Sequence, residues 1–365
     1  LGADYLVPLY VPGFSPEKQH LTAQLMRIML FSPFFFTMSS FFISIENAFH
    51  RFATQALAPI LYNLGILAGI WFFAPYYGVY GLAWGVVLGA LAQMLIQIPA
   101  VYRLGFRWKP ILISSRELKE FCSVLLPRVL SLSMSSLGGV IVVMVASKIA
   151  SGSIAIFNLA DNLQSLPFGM MVLPISITSF AYFTKYAAAK DSSGFTQHLK
   201  RSLWRTYFLL LPAIAAVWLV LPLAINIIFI HGKFSLANGQ ELLVLARILL
   251  FNLLFWGMNP LFNRAFFAWQ ETWKPFWTTL FSLGVNLGVL YLTLPHFGIL
   301  ALAIGQGAQA ISSDLIMGYL LYRHFGSFFT WKKTAILMIV TGALAGFLYL
   351  LSLSPWDTWA LTWQI

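Results

Sequence analysis

Nine residues in this sequence combine charge or hydrogen-bonding capacity with apolar surroundings: Arg27, Arg51, Arg128, Asp161, Asn162, Gln164, Arg247, Arg264 and Asp314. An ionisable side chain inside a membrane span is costly. Such groups commonly face a cavity and serve substrate or ion movement. Asp161 heads a polar patch with Asn162 and Gln164, just before Pro167. The patch suits a substrate path or a coupling site, and a helix–helix hydrogen bond is the structural alternative. Arg27 and Arg247 each fall inside a span, and an Arg fork suits a pyrophosphate. A long side chain at that depth also snorkels to the interface or bonds a neighbouring helix. Arg128 follows Pro127 at a position suited to a cleft mouth. Arg51 and Arg264 both end a helix on the same side, where they would hold a phosphate at a gate or simply anchor the topology. Asp314 follows Ser312 and Ser313; it is a candidate ion-coupling residue, with a buried bond to a neighbouring helix as the alternative.

Enzymatic chemistry lacks a constellation. The six histidines are scattered, and there is no H-E-x-x-H, no G-x-S-x-G and no Walker A lysine. A single cysteine, Cys122, excludes a disulfide within the chain and a thiolate metal cluster. No cofactor is expected, and energy for transport would come from the membrane potential or an ion gradient.

The elements that must position these residues are transmembrane helices. Of 365 residues, 59% are apolar and 9% are charged, against about 25% charged in soluble domains. So little charge cannot cover a water-facing surface, and lipid must solvate the chain. A bilayer core of about 30 Å needs roughly 20 apolar residues as helix. Ten stretches qualify: 21–45, 56–75, 78–101, 121–147, 154–184, 203–230, 241–263, 275–294, 297–322 and 333–353. The net charge of +11 sits in short loops. Basic residues such as Arg51, Arg103, Lys185, Arg264 and Arg323 fall in alternate loops, and the intervening loops hold only Lys148 and Lys233. That alternation supports the span assignment and makes the basic loops cytoplasmic. It also accounts for the charge without nucleic acid; membrane lipids are the expected surroundings.

The chain repeats itself at a spacing of 220 residues. Leu25-Met26-Arg27-Ile28 matches Leu245-Ala246-Arg247-Ile248; Pro75 and Gly78 match Pro295 and Gly298; Tyr102-Arg103 matches Tyr322-Arg323. An even number of spans separates the copies, so both have the same orientation. This predicts an all-α polytopic bundle of two lobes related by a parallel pseudo-twofold axis. The expected boundaries are 1–105 for the last three helices of one lobe, 106–325 for a six-helix lobe, and 326–365 for an additional helix. The absence of an initiating Met, with the repeat arithmetic, leads us to expect that helices preceding Leu1 belong to the natural protein. Two lobes facing a polar cleft and rocking about it make a transporter by alternating access.

Pro12-Gly13-Phe14, Asn47-Ala48-Phe49-His50-Arg51-Phe52 and Ala58-Pro59-Ile60-Leu61-Tyr62-Asn63 resemble the fourth and fifth helices of the MurJ (MviN) family of lipid II flippases. Ala150-Ser151-Gly152-Ser153-Ile154, Leu159-Ala160-Asp161-Asn162-Leu163-Gln164 and Pro167-Phe168-Gly169 resemble its seventh-to-eighth helix turn. Gly232-Lys233-Phe234, Arg264-Ala265-Phe266-Phe267-Ala268 and Lys274-Pro275 resemble later signatures. The resemblance implies the multidrug/oligosaccharidyl-lipid/polysaccharide exporter superfamily and a location in the bacterial cytoplasmic membrane. It implies fourteen helices, of which this chain would hold the fourth to the thirteenth. It also implies transport of a polyprenyl-pyrophosphate-linked saccharide, lipid II, from the inner to the outer leaflet. Another lipid-linked oligosaccharide flippase or a multidrug exporter is the alternative, ahead of a membrane-embedded transferase or a non-transporting scaffold. Asn162 stands where family members often carry arginine, so it would donate hydrogen bonds there without supplying charge.

Overall fold

The structure, a computed structural model, describes residues 2–49, 51, 53–107, 116–150, 152–232 and 234–326, together with 342, 343 and 346. The predicted span 333–353 lies almost wholly outside them. The described residues are helical and contain no strand. In a bilayer this is the expected outcome, because a helix satisfies its backbone groups internally. The chain divides into two compact units, Leu1–Ser114 and Ser115–Ile365.

The first unit contains α1 (Ala3–Tyr10), α2 (Pro16–Met29), α3 (Phe31–Ala48), α4 (Ala53–Ala68), α5 (Ala74–Tyr77), α6 (Val79–Leu95) and α7 (Ile98–Arg103). A π-helical turn, Gly69–Phe73, joins α4 to α5. Glycines let α4 and α6 pack backbone to backbone. A Cβ on Gly65 would stand 2.2 Å from the Gly89 Cα, and one on Gly85 would stand 2.5 Å from the Gly69 Cα. Without a hydrophobic force between helices in lipid, such close approach is what holds them together.

The second unit contains α8 (Arg116–Ile149), α9 (Ser153–Pro167), α10 (Leu173–Ala188), α11 (Ser192–Phe229), α12 (Leu236–Trp256), α13 (Asn259–Ala268), α14 (Trp273–Phe297) and α15 (Leu300–Phe325). It has two apolar cores. One gathers Leu242, Leu245, Leu249 and Leu253 of α12 against Ala301 and Ala303 of α15 and Leu210 and Ile214 of α11. The other gathers Phe183, Phe195, Leu199, Phe262, Phe266 and Met317.

Among the described residues, seven helical segments are long and apolar enough to cross a membrane. They cover seven of the predicted spans. The predicted spans 121–147 and 297–322 lie on α8 and α15, both helical and long enough to cross. Polar residues of α15 line the cavity described below, which is the physical reason for the lower hydropathy of that helix.

The same local backbone recurs 220 residues apart. Ser15 Oγ caps α2 by accepting from the Lys18 N–H, and Ser235 Oγ caps α12 by accepting from the Asn238 N–H. Gly78 has φ 55° and ψ −134°, and Gly298 has φ 53° and ψ −126°. The Gly78 N–H donates to the Ala74 carbonyl and the Gly298 N–H to the Leu294 carbonyl. A positive φ of this kind favours glycine, since a Cβ would be strained there.

Candidate functional site

The second unit encloses a polar cavity of about 180 Å³. Six helices build it. Gly138, Gly139 and Val142 of α8 form one wall, and their small side chains leave it open. Asp161 and Gln164 come from α9, Asn252 and Trp256 from α12, and Asn259 from the first residue of α13. Thr279, Ser282 and Asn286 come from α14; Gln306, Gln309, Ala310 and Ser313 come from α15. The α15 residues recur at three- and four-residue spacing, so one face of that helix looks into the cavity. Six of the lining residues are amides, three are hydroxyls and one is a carboxylate, and among the described residues no lysine or arginine lines it.

Breaks in the surrounding helices shape this space. Pro167 lacks an N–H and is followed by a π-helical turn, Phe168–Val172, between α9 and α10. Phe168 stacks on Trp256 with ring centroids 4.7 Å apart, closing one end with aromatic surface. Between α12 and α13 the chain breaks at Gly257-Met258, and Pro260 follows at the second position of α13. Half-helix ends inside a bundle are where transporters commonly place binding groups.

Hydrogen bonds hold the amides in place. Asn252 Nδ2 donates to the Ala303 carbonyl at 2.7 Å, and Asn286 Nδ2 donates to Gln309 Oε1 at 2.6 Å. Asn259 Nδ2 donates to Ser313 Oγ at 2.8 Å, and Asn263 Nδ2 donates to Asn259 Oδ1 at 2.6 Å. Glycine makes two of these contacts fit. A Cβ on Gly305 would lie 2.5 Å from Asn286 Oδ1, and one on Gly307 equally close to Asn252 Oδ1. Gln164 is buried, and among the described residues its Oε1 accepts no hydrogen bond.

Asp314 lies one residue beyond Ser313 and is 7% exposed. Neither of its carboxylate oxygens accepts a well-formed hydrogen bond among the described residues, although the Asn259 amide stands nearby. Tyr207 of α11, which donates to the Leu254 carbonyl at 3.1 Å, is within electrostatic reach.

The other residues singled out from sequence fall elsewhere. Asn162 is exposed and does not line the cavity. Arg27 forms an ion pair with Asp4, and both side chains are 46% exposed. The Arg247 guanidinium lies over the Trp218 ring at 5.1 Å, and that of Arg264 over the Phe180 ring at 5.9 Å. These are cation–π geometries. Arg51 is exposed, and its N–H donates to the Glu46 carbonyl at 2.8 Å. The Arg128 side chain lies outside the described residues.

Sequence reading passed over two kinds of residue. Asn252, Asn259, Asn286, Gln306 and Gln309 carry no charge, so none by itself has the membrane cost that marks a functional group in sequence. Their signal was an excess of amides in otherwise apolar helices. Glu46 escaped because it sits at a helix end; it is fully buried, and Thr54 Oγ1 donates to it.

A family model described as lipid II flippase MurJ matches residues 1–364 of the chain. A protein of Bdellovibrio bacteriovorus named probable lipid II flippase MurJ is 26% identical over 336 residues, covering 88% of this chain and 63% of that protein. A Borreliella burgdorferi protein of the same name is 23% identical over 289 residues, covering 79% of this chain and 57% of its own length. The Burkholderia cenocepacia lipid II flippase MurJ is 25% identical over 335 residues, covering 87% and 64%. The chain thus spans about three fifths of the length of these relatives. In fold it is similar to a solved lipid II flippase MurJ in an inward closed conformation. That match has a TM-score of 0.79 and 20% identity, covering 99% of this chain and 75% of the other. An inward-facing multidrug resistance transporter of the MATE family matches with a TM-score of 0.71 and 17% identity, covering 90% and 76%.

Proposed function

This chain belongs to the lipid II flippase MurJ family, and from that premise we propose that the protein moves lipid II across the bacterial cytoplasmic membrane by alternating access. The observation that carries the reading is the family match over residues 1–364. The polar cavity within a membrane-spanning unit supports it, because lipid alone would leave those amides unsatisfied. The work is transport rather than catalysis. A polyprenyl tail stays in lipid while the headgroup crosses, so the protein must supply a polar path and need not break a bond.

The lining suggests which part of the headgroup it meets. Amides and hydroxyls pair with the hydroxyl and amide groups of a sugar-peptide headgroup. A diphosphate calls for cations, and the cavity offers carboxylate and amide instead. Asp161 and Gln164 are therefore assigned to the neutral part of the cargo.

Asp314 is assigned to energy coupling. A carboxylate buried in a span, with no cation beside it among the described residues, is costly as a fixed anion. Taking up and releasing a small cation during the cycle removes that cost in one half of the cycle.

Complementation tests the reading. A strain depleted of its lipid II flippase should be rescued by the intact protein, weakly by Asp161→Ala and not by Asp314→Asn, with all three inserted at equal levels. Absence of rescue by stably inserted intact protein would overturn the assignment in favour of a different exporter of the same fold.

A further inference from the structure

The exposed stripe of α11 changes character along its length. Gln197, Arg201 and Arg205 are exposed at successive four-residue steps, followed on the same face by Phe208, Leu209 and Pro212. Phe208 is 66% exposed. At 38 residues the helix is about 57 Å long, well beyond a hydrocarbon core of about 30 Å. The change from arginine to phenylalanine therefore marks the height of the membrane–water interface on this helix. The basic-loop alternation puts that end on the cytoplasmic side.

The neighbouring helix completes a site. α10 and α11 run antiparallel, joined by a hydrogen bond of 2.8 Å between Ser179 Oγ and Ser202 Oγ. Tyr182 of α10 stacks on His198 of α11 with ring centroids 4.6 Å apart, yet it remains 51% exposed. Both Arg201 and Arg205 act electrostatically on His198. Among the described residues neither guanidinium has an ion pair. Two like charges four residues apart on a helix repel each other, so this face holds an uncompensated positive field. Below it, Ile177 of α10 and Phe208 of α11 are exposed apolar surface suited to acyl chains. None of these residues lines the cavity.

We propose that Arg201, Arg205 and Tyr182 form a binding site for the phosphate of an anionic glycerophospholipid of the cytoplasmic leaflet, with its acyl chains along Ile177 and Phe208. Arg presents a fork that matches phosphate oxygens bidentately, and the tyrosine hydroxyl adds a donor. Anionic lipid is the partner that this leaflet supplies to an interfacial cationic cluster. The inference stands apart from the identity of the transported lipid.

Native mass spectrometry of the intact protein released from phosphatidylethanolamine nanodiscs containing phosphatidylglycerol tests it. In the Arg201→Gln/Arg205→Gln variant the fraction carrying phosphatidylglycerol should fall roughly tenfold. The Arg103→Gln/Arg323→Gln variant removes the same charge from the same side and should bind as the parent does. Equal loss in both variants, or no loss in the first, overturns the site. Should the first variant not insert, the parent protein still decides. A phosphatidylglycerol with a photoreactive headgroup should label the α10–α11 seam around Tyr182, and labelling spread evenly over the cytoplasmic side overturns the proposal.

Discussion

Asp314 and Asp161 are both acidic residues of membrane-spanning helices, but their surroundings differ. Asp314 is 7% exposed with no well-formed hydrogen bond among the described residues, whereas Asp161 is exposed to the cavity. Removing a buried charge that lacks a partner costs little stability and often adds some. Asp314→Asn should therefore leave the melting temperature of the purified protein unchanged or higher while transport falls tenfold or so. A thermal melt alongside a lipid II translocation assay checks both halves, and a large loss of stability would make Asp314 a structural residue. Asp161→Ala should also melt like the parent, because an exposed side chain carries little packing. Gln164 is different: it is buried, and its replacement by leucine should fill polar space with apolar surface and lower transport without abolishing insertion.

At the scale of the elements, glycines decide what can pack. Gly85 of α6 lies against Gly69, and even a methyl group would meet the Gly69 Cα at 2.5 Å. Gly85→Ala should force α4 and α6 apart and destabilise the first unit by about 1–3 kcal/mol, the usual cost of overpacking. A fall in melting temperature relative to Gly288→Ala, a helical position of α14 whose Cβ would meet nothing within 4 Å, would measure the packing term against a helical control. The turns at Gly78 and Gly298 carry positive φ and the same hydrogen bonds. Their alanine variants should each lose about 1–2 kcal/mol, since both need the same left-handed backbone. The repeat was readable at these turns because the requirement is local, imposed by one residue and its own backbone.

For the whole molecule, the positive-inside alternation makes a topological prediction that the single cysteine renders easy to test. In a Cys122→Ser background, a cysteine at Lys190 should react with a membrane-impermeant maleimide only after the membrane is opened. A cysteine at Lys18 should react in intact cells. The reverse pattern would invert the assigned orientation, and labelling of both from outside would end the span assignment.

Helical class and the positions of the described spans were legible in the amino-acid sequence alone, which also predicts an orientation. Each depends on composition and on spacings of a few residues, which the bilayer reads directly as length and charge. The 220-residue spacing also surfaced there, through residues such as Gly78 and Gly298 whose roles are local. Only the tertiary structure decided which polar residues share a space. Asn252, Asn286 and Gln309 stand on three helices, and nothing in their separate neighbourhoods says that they face one cavity. It likewise joined Arg27 to Asp4 and laid Arg247 over Trp218. A side chain's partner is set by how helices rotate and cross, which is a property of the packed unit rather than of any one segment.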